Sequence, residues 1–235
     1  MHGWAESVVL FLARAIVLVL LAGTIWRVFR WLRTPVLRRV PIMPAPRSRL
    51  GVVLLMAHES VFFTTLFKAS RWTWLFGWIF HVGLALVLLQ HLRYLSSYWW
   101  PWLNWLAAWG HVASALMIVG LLGLSARRVL VDRMRFISRV SDHAILGLLG
   151  AIALSGVLLK YHWPVNVLAI RDFVRGALWL AESVPLPVHF AMYVHLSLAA
   201  VFILIFPFGK LMHGPGLWLN PTRAQADVDR PGGGA

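Results

Sequence analysis

Five stretches of the chain are almost continuously apolar, at about 7–29, 73–95, 103–125, 141–162 and 187–209. A helix of about twenty such residues crosses a bilayer and satisfies its own backbone polar groups there. The pattern predicts an all-α integral membrane protein, a bundle of five transmembrane helices. Residues 1–222 form one membrane domain, and 223–235 a flexible cytoplasmic tail ending in glycines. Between the first two runs, Pro35, Pro41, Pro44 and Pro46 predict an extended strap, and 52–67 a short interfacial helix. In 163–186, Phe173, Ala177, Leu178 and Leu180 alternate with Arg171, Asp172 and Arg175, the pattern of an amphipathic helix lying along the outer surface.

Composition sharpens this picture. The chain is 60% hydrophobic and 13% charged, more apolar than a soluble domain can hide. Its net charge is +14, but the basic residues sit mainly in the breaks between apolar runs. They read as topology signals and lipid headgroup contacts, with no nucleic acid as partner. Arg30, Arg33, Arg38, Arg39, Arg47, Arg49, Lys68 and Arg71 fill one break; Arg127, Arg128, Arg133, Arg135 and Arg139 fill another. The segments 96–102 and 163–186 hold only Arg171 and Arg175. An excess of cations on the cytoplasmic side then puts the N-terminus outside and the C-terminus in the cytoplasm. Trp99, Trp100, Trp102 and Trp105 fit an outer interfacial belt. Without a basic leader, the first run reads as a retained span. Cysteine is absent, which excludes disulfides, thiolate metal sites and iron–sulfur clusters held by this chain.

Four histidines carry the candidate chemistry. His81 and His91 lie in the second run, and His195 and His213 frame the fifth. Because the two runs cross in opposite directions, the four sort by depth into His81 with His213, on the cytoplasmic side, and His91 with His195, on the outer side. Each pair suits the two axial positions of a haem iron. Eighteen residues bring His213 back to the face of His195 about 27 Å along a continuous helix, whereas ten leave His91 about 80° around from His81. Pro207-Phe208-Gly209 offers a kink to absorb part of the mismatch. Gly77 and Gly83 flank His81 and would let a flat group approach. Arg93 and Lys210 are candidate partners of haem propionates. Of the other histidines, His143 beside Asp142 reads as a capping pair, His2 and His58 as surface residues, His162 and His189 as span-end residues, and His111 as a hydrogen-bonding residue facing a substrate pocket.

The stretches FHVGLALVLLQH and HLSLAAVFILIFPFGKLMH resemble the gamma subunit of respiratory nitrate reductase and its relatives over about residues 70–215. That resemblance implies five helices with the N-terminus outside. It implies two b-type haems on the second and fifth helices, here His81 with His213 and His91 with His195. It also implies quinol oxidation near the outer haem and electron delivery to a cytoplasmic iron–sulfur subunit. The family's lysine near the start of the third helix is missing; the chain reads Asn104-Trp105-Leu106-Ala107-Ala108-Trp109 there. The basic strap looks more like the membrane cytochrome b of the sulfite-reductase-associated transmembrane complex, whose partner is heterodisulfide-reductase-like. A nitrate-reductase-beta-like partner is the alternative, and further membrane and periplasmic subunits are compatible with either.

The expected function is that of the dihaem b electron-transfer subunit of a quinone/quinol oxidoreductase in a bacterial cytoplasmic membrane, with a role in sulfur metabolism. It is not catalytically complete alone: no residue is nominated as catalytic, and no nucleotide motif or metal-hydrolase motif is present. Arg93, Tyr94, Asn104 and His111 are the polar groups available to a quinone near His91. The basic strap offers a docking face for an acidic partner. A proton-relay transporter would want acidic residues at depth, and the second and fifth runs have none. A non-redox anchor would bind no chromophore.

Overall fold

The computed structural model describes residues 3–34, 46–95, 101–179 and 189–219. Pro35, Pro41 and Pro44 of the strap, Trp99 and Trp100 of the belt, and the tail lie outside the described residues. All described elements are helical. In chain order they are α1 (Gly3–Arg33), α2 (Arg49–Phe62), α3 (Thr64–Ala69), α4 (Arg71–His91), α5 (Pro101–Ala108), α6 (Gly110–Leu130), α7 (Asp132–Ile137), α8 (Val140–Tyr161), α9 (Val167–Leu178), α10 (Phe190–Ile205) and α11 (His213–Trp218). Among the described residues, five helical stretches are long and apolar enough to cross a membrane: Glu6–Arg33, Arg71–Tyr94, Gly110–Leu130, Val140–Tyr161 and Phe190–Phe208.

The chain divides into two compact units. The first comprises Met1–Leu18 and Trp72–Ile203. Its centre is a cluster of Phe80, Met117, Leu121 and Leu149, against which Leu84, Val87, Ile145 and Phe202 pack. Each of α4, α6, α8 and α10 contributes to it. Glycines bring α4 and α6 into backbone contact: a Cβ on Gly120 would meet Phe80 Cα at 2.6 Å. Small residues are the usual means of close helix approach in a bilayer, where apolar burial gives no driving force. Gly83 plays the same part from the other side, because its missing side chain would run into Met117 and Ala113. In this unit a helix fills the space beside Gly83.

The third predicted span, 103–125, is divided. Trp109 breaks the helical run between α5 and α6, with φ −86° and ψ 6°. Gly110 follows, where any side chain would collide with Lys160 and Gln90. Gln90 Nε2 donates to Leu106 O at 3.2 Å, and Lys160 Nζ stands 3.5 Å from Ala107 O, so carbonyls at the break face donors. The long α6 therefore runs further than expected, to Leu130.

The amphipathic helix is present as α9. Asn166 Oδ1 caps its start by accepting from Leu168 N and Ala169 N. Ile170, Phe173, Gly176 and Ala177 are buried, and Leu10 packs on Phe173 and Ala177. Arg14, a cation inside the first apolar run, donates to Gly176 O and Ala177 O at the C-terminal end of α9. That pairing satisfies late carbonyls and places positive charge at the negative end of the helix. At the start of α8, Asp142 accepts from Arg139 N at 3.1 Å and lies 3.6 Å from Arg128. The capping expected of Asp142 is thus present, and His143 is exposed.

The second unit comprises Val19–Arg71 and Leu204–Ala235. The predicted interfacial helix appears as two pieces, α2 and α3. Phe63 separates them in the left-handed conformation, φ 51°. Glu59 satisfies the start of α3 by accepting from Thr64 Oγ1 and from Thr65 N. The expected kink also lies here. Phe206–Phe208 and Lys210–Met212 form short 3₁₀ turns on either side of Gly209. A Cβ on Gly23 would meet Pro207 Cγ at 2.8 Å, so α1 and the kink come together where α1 has no side chain. Arg27 Nη1 donates to Pro207 O at 2.9 Å and satisfies a carbonyl the kink releases.

Candidate metal centre

Each histidine expected to ligate iron has its Nδ1 engaged. His81 Nδ1 is 2.6 Å from Gly77 O and His91 Nδ1 is 2.7 Å from Val87 O, both one helical turn back. His213 Nδ1 is 3.1 Å from Lys210 O. A carbonyl can only accept, so in these three rings Nδ1 carries the proton and Nε2 the lone pair. His195 reaches the same state through a neighbouring helix. Ser155 donates to Ile152 O at 3.0 Å, which leaves its oxygen to accept from His195 Nδ1 at 2.8 Å. Neutral imidazole with its second nitrogen held by an acceptor is the form that binds metals, and the acceptor fixes the ring's orientation.

The first unit brings His91 and His195 together. Their ring centres are 6.5 Å apart and their planes 22° from parallel. Gly156, one residue past Ser155, leaves room beside His195; a Cβ there would meet His195 Cε1 at 3.3 Å. His81 is half-buried in the same unit and meets Phe80 edge-on at 4.9 Å. His213 belongs to the second unit, where it opens α11 immediately after the second 3₁₀ turn. The interruption between Ile205 and His213 removes the simple rotational relation that a continuous helix would impose on His195 and His213.

Around His91 the polar residues separate. Tyr94 meets its ring edge-on at 5.7 Å, and Arg93 lies over Tyr94 at 5.3 Å. Asn104 and His111 are exposed on α5 and α6. Gly77 is buried and supplies the carbonyl for His81.

Lys160 was not legible as part of this site. It closes α8, yet it stands beside Ala107 and Gly110, where the third predicted span carries no lysine of its own. Only helix packing brings it there. Arg93, two residues after His91, is the other cation of this region. Arg93 Nε is buried without a hydrogen-bond partner among the described residues, and neither cation is ion-paired to a carboxylate among them. Lys160 itself is exposed.

The family model of the nitrate reductase gamma subunit matches residues 64–223. The chain belongs to that family. A relative from Archaeoglobus fulgidus, described as an Hdr-like menaquinol oxidoreductase cytochrome b-like subunit, is 32% identical over 69% of the chain and 53% of its own length. A protein of the same description from Archaeoglobus profundus is 25% identical over 90% of the chain and 76% of its own length. The chain thus spans about half the length of the first of these relatives. The family and the five apolar helices together identify a multi-pass, cytochrome b-like membrane protein.

Proposed function

We propose that this chain is the dihaem b subunit of a quinone/quinol oxidoreductase complex, carrying electrons between a quinol site near the outer face and a cytoplasmic iron–sulfur partner. The single observation that carries the reading is the His91–His195 pair. Two imidazole nitrogens, each about 2 Å from a shared metal, put their ring centres roughly 6 Å apart; the observed separation is 6.5 Å. Both Nδ1 atoms are occupied by acceptors, so both rings present Nε2. The donor set, two neutral imidazoles without thiolate or carboxylate, fits haem b. His81 and His213 would hold the second haem, on the cytoplasmic side, with Lys210 beside it. When bound, haem supplies reversible one-electron chemistry. The chain's own residues would fix the imidazole tautomers and offer Arg93 and Lys160 to the carboxylates of the outer group, with the apolar cluster of Leu159, Ile170 and Met192 packed against Tyr94 and Leu196 beside the pair.

The N-terminus would face outward and the C-terminus inward, which places the His91–His195 pair near the outer surface. The membrane is the cytoplasmic membrane of a prokaryote. The relatives' description favours a heterodisulfide-reductase-like partner and a menaquinol substrate, hence a role in sulfur metabolism; a respiratory nitrate reductase is the second assignment, on the family match alone. The test is haem stoichiometry by pyridine haemochrome. The purified chain should carry two b-type haems, and His91→Ala or His195→Ala should each remove the same one. Wild-type protein without haem, or a His195→Ala variant retaining both, would overturn the assignment.

A further inference from the structure

Arg27 is a cation inside the first membrane-spanning helix, and the proposed function gives it no part. Charge within a span is costly and marks a working contact. Arg30 and Arg33, farther along α1, are exposed and can serve headgroups. Arg27 is half-buried. Its guanidinium donates to Pro207 O at 2.9 Å and lies over the Trp31 ring at 5.2 Å.

Gly23, Arg27 and Trp31 follow one another at intervals of four, so they form one stripe of α1. All three touch the segment that follows Ile205, and they share the second unit with it. Gly23 admits the proline: a Cβ there would stand 2.8 Å from Pro207 Cγ and 2.9 Å from its Cβ. Arg27 holds the proline's carbonyl. Trp31 meets the backbone at Gly216, where a Cβ would lie 3.5 Å from Cη2 of the indole. The stripe thus grips the chain six residues before His213 and three after it.

The backbone around His213 has little else to hold it. His81 and His91 bond carbonyls one turn back in a continuous helix. His213 sets its Nδ1 against Lys210 O, in a 3₁₀ turn. Gly209 N still donates to Ile205 O at 3.1 Å. The backbone of Gly209 is extended, φ −100° and ψ −173°, and turns the chain out of α10 before that 3₁₀ turn begins. The position of Lys210 O therefore depends on packing. Pro207 and Met212 are fully buried, and α1 holds both flanks.

We propose that Arg27, seated between Gly23 and Trp31, is a positioning residue for His213 and sets the ring angle of that iron ligand. The inference rests on the dihaem reading for the identity of the ligand. Arg27 acts through the Pro207 carbonyl and the turn that carries Lys210 O, so α1 shapes the second haem site although it supplies no ligand. A cation serving headgroups alone would use neither the carbonyl nor the missing side chain at Gly23.

The test uses the detergent-purified chain with its haems. In low-spin haem with two imidazoles the largest g-value follows the angle between the two rings, so electron paramagnetic resonance reads the orientation of His213. Loss of one signal in His213→Ala assigns it. Arg27→Met should shift the largest g-value of that signal, leave the other in place, and keep both haems by pyridine haemochrome. Backbone hydrogen exchange over residues 206–216, followed by mass spectrometry, should rise about tenfold or more, the worth of one hydrogen bond from a charged donor. Arg27→Lys returns a donor to Pro207 O and should restore both readings. Gly23→Ala pushes Pro207 without touching the charge, and should shift the same signal. No shift in Arg27→Met or in Gly23→Ala, no rescue by Arg27→Lys, or raised exchange with an unmoved signal overturns the proposal. A His213→Ala variant that keeps both haems overturns the dihaem reading and this inference with it; the other outcomes leave that reading intact.

Discussion

Replacing Ser155 with alanine isolates the part of the site that depends on a neighbouring helix. The substitution deletes the 2.8 Å contact to His195 Nδ1 and nothing larger than a hydroxyl. Ile152 O loses an additional donor but keeps its place in α8, so the helix should persist. Without the Ser155 hydroxyl, the backbone carbonyl of Ile152 is the acceptor left to His195, and the ring is held less firmly. A net neutral hydrogen bond is worth about 1 kcal/mol. Loss of an outer-shell partner to a metal-bound imidazole typically weakens the metal about 10–100-fold. About 1 kcal/mol alone is roughly fivefold, so the lower end of that range is the one to expect. Ser155→Ala should therefore release the outer haem about tenfold more readily to a haem-scavenging protein such as apomyoglobin, followed by optical spectroscopy, while the other haem stays. Ser155→Thr keeps the hydroxyl and should restore retention. If Ser155→Ala held both haems as tightly as wild type, the argument that Ser155 orients His195 would be wrong.

Four other expectations can be checked directly. Gly120→Val puts two methyl groups where Phe80 Cα already lies, and overpacking of this kind costs about 1–3 kcal/mol; it should lower the thermal unfolding midpoint in detergent while a change at the exposed Leu122 should not. Gly156→Leu crowds His195 from the side of α8 and should reduce haem content at the outer site with little change at the other. Lys160→Met removes one of the two cations beside the third span, and should lower the reduction potential of the outer haem in a spectroelectrochemical titration, since a nearby positive charge favours the reduced form. Arg14→Met leaves the Gly176 and Ala177 carbonyls without their donor, and should raise hydrogen exchange at the C-terminal turn of α9 by mass spectrometry.

Length and apolarity made the five spans legible because they are local properties of the chain. The kink was legible for the same reason, since Pro207 and Gly209 announce it. The division at Trp109 was not, because nothing local forbids a helix through Asn104–Gly110. What decides it is the approach of Gln90 and Lys160 to Gly110 and the carbonyls before it, which are partners from other helices. Phe63 is similar: a left-handed phenylalanine is costly, and its place between α2 and α3 is held by Glu59, whose carboxylate accepts from the turn that follows. Gly83 looked like space for a flat group and proved to be space for α6. Sequence spacing shows that a helix has a gap in its surface, and only packing shows what enters it.

The histidines show the same distinction within a single site. His81 and His91 each bond the carbonyl four residues earlier in α4. That arrangement follows from helix geometry, because a side chain leans back over the preceding turn, so their tautomer is written into the helix itself. His195 takes its acceptor from Ser155, forty residues away in sequence and on a different helix. Its tautomer therefore depends on the packing of α8 against α10, and on the missing side chain at Gly156 that permits it. Of the two rings in the His91–His195 pair, one is oriented locally and the other by assembly. A disturbance of helix packing should thus act on His195 before His91. Mild detergent stress should reproduce the Ser155→Ala phenotype in wild-type protein, with early loss of the outer haem; loss of the other haem first would show that the orientation of His195 does not limit the stability of the site.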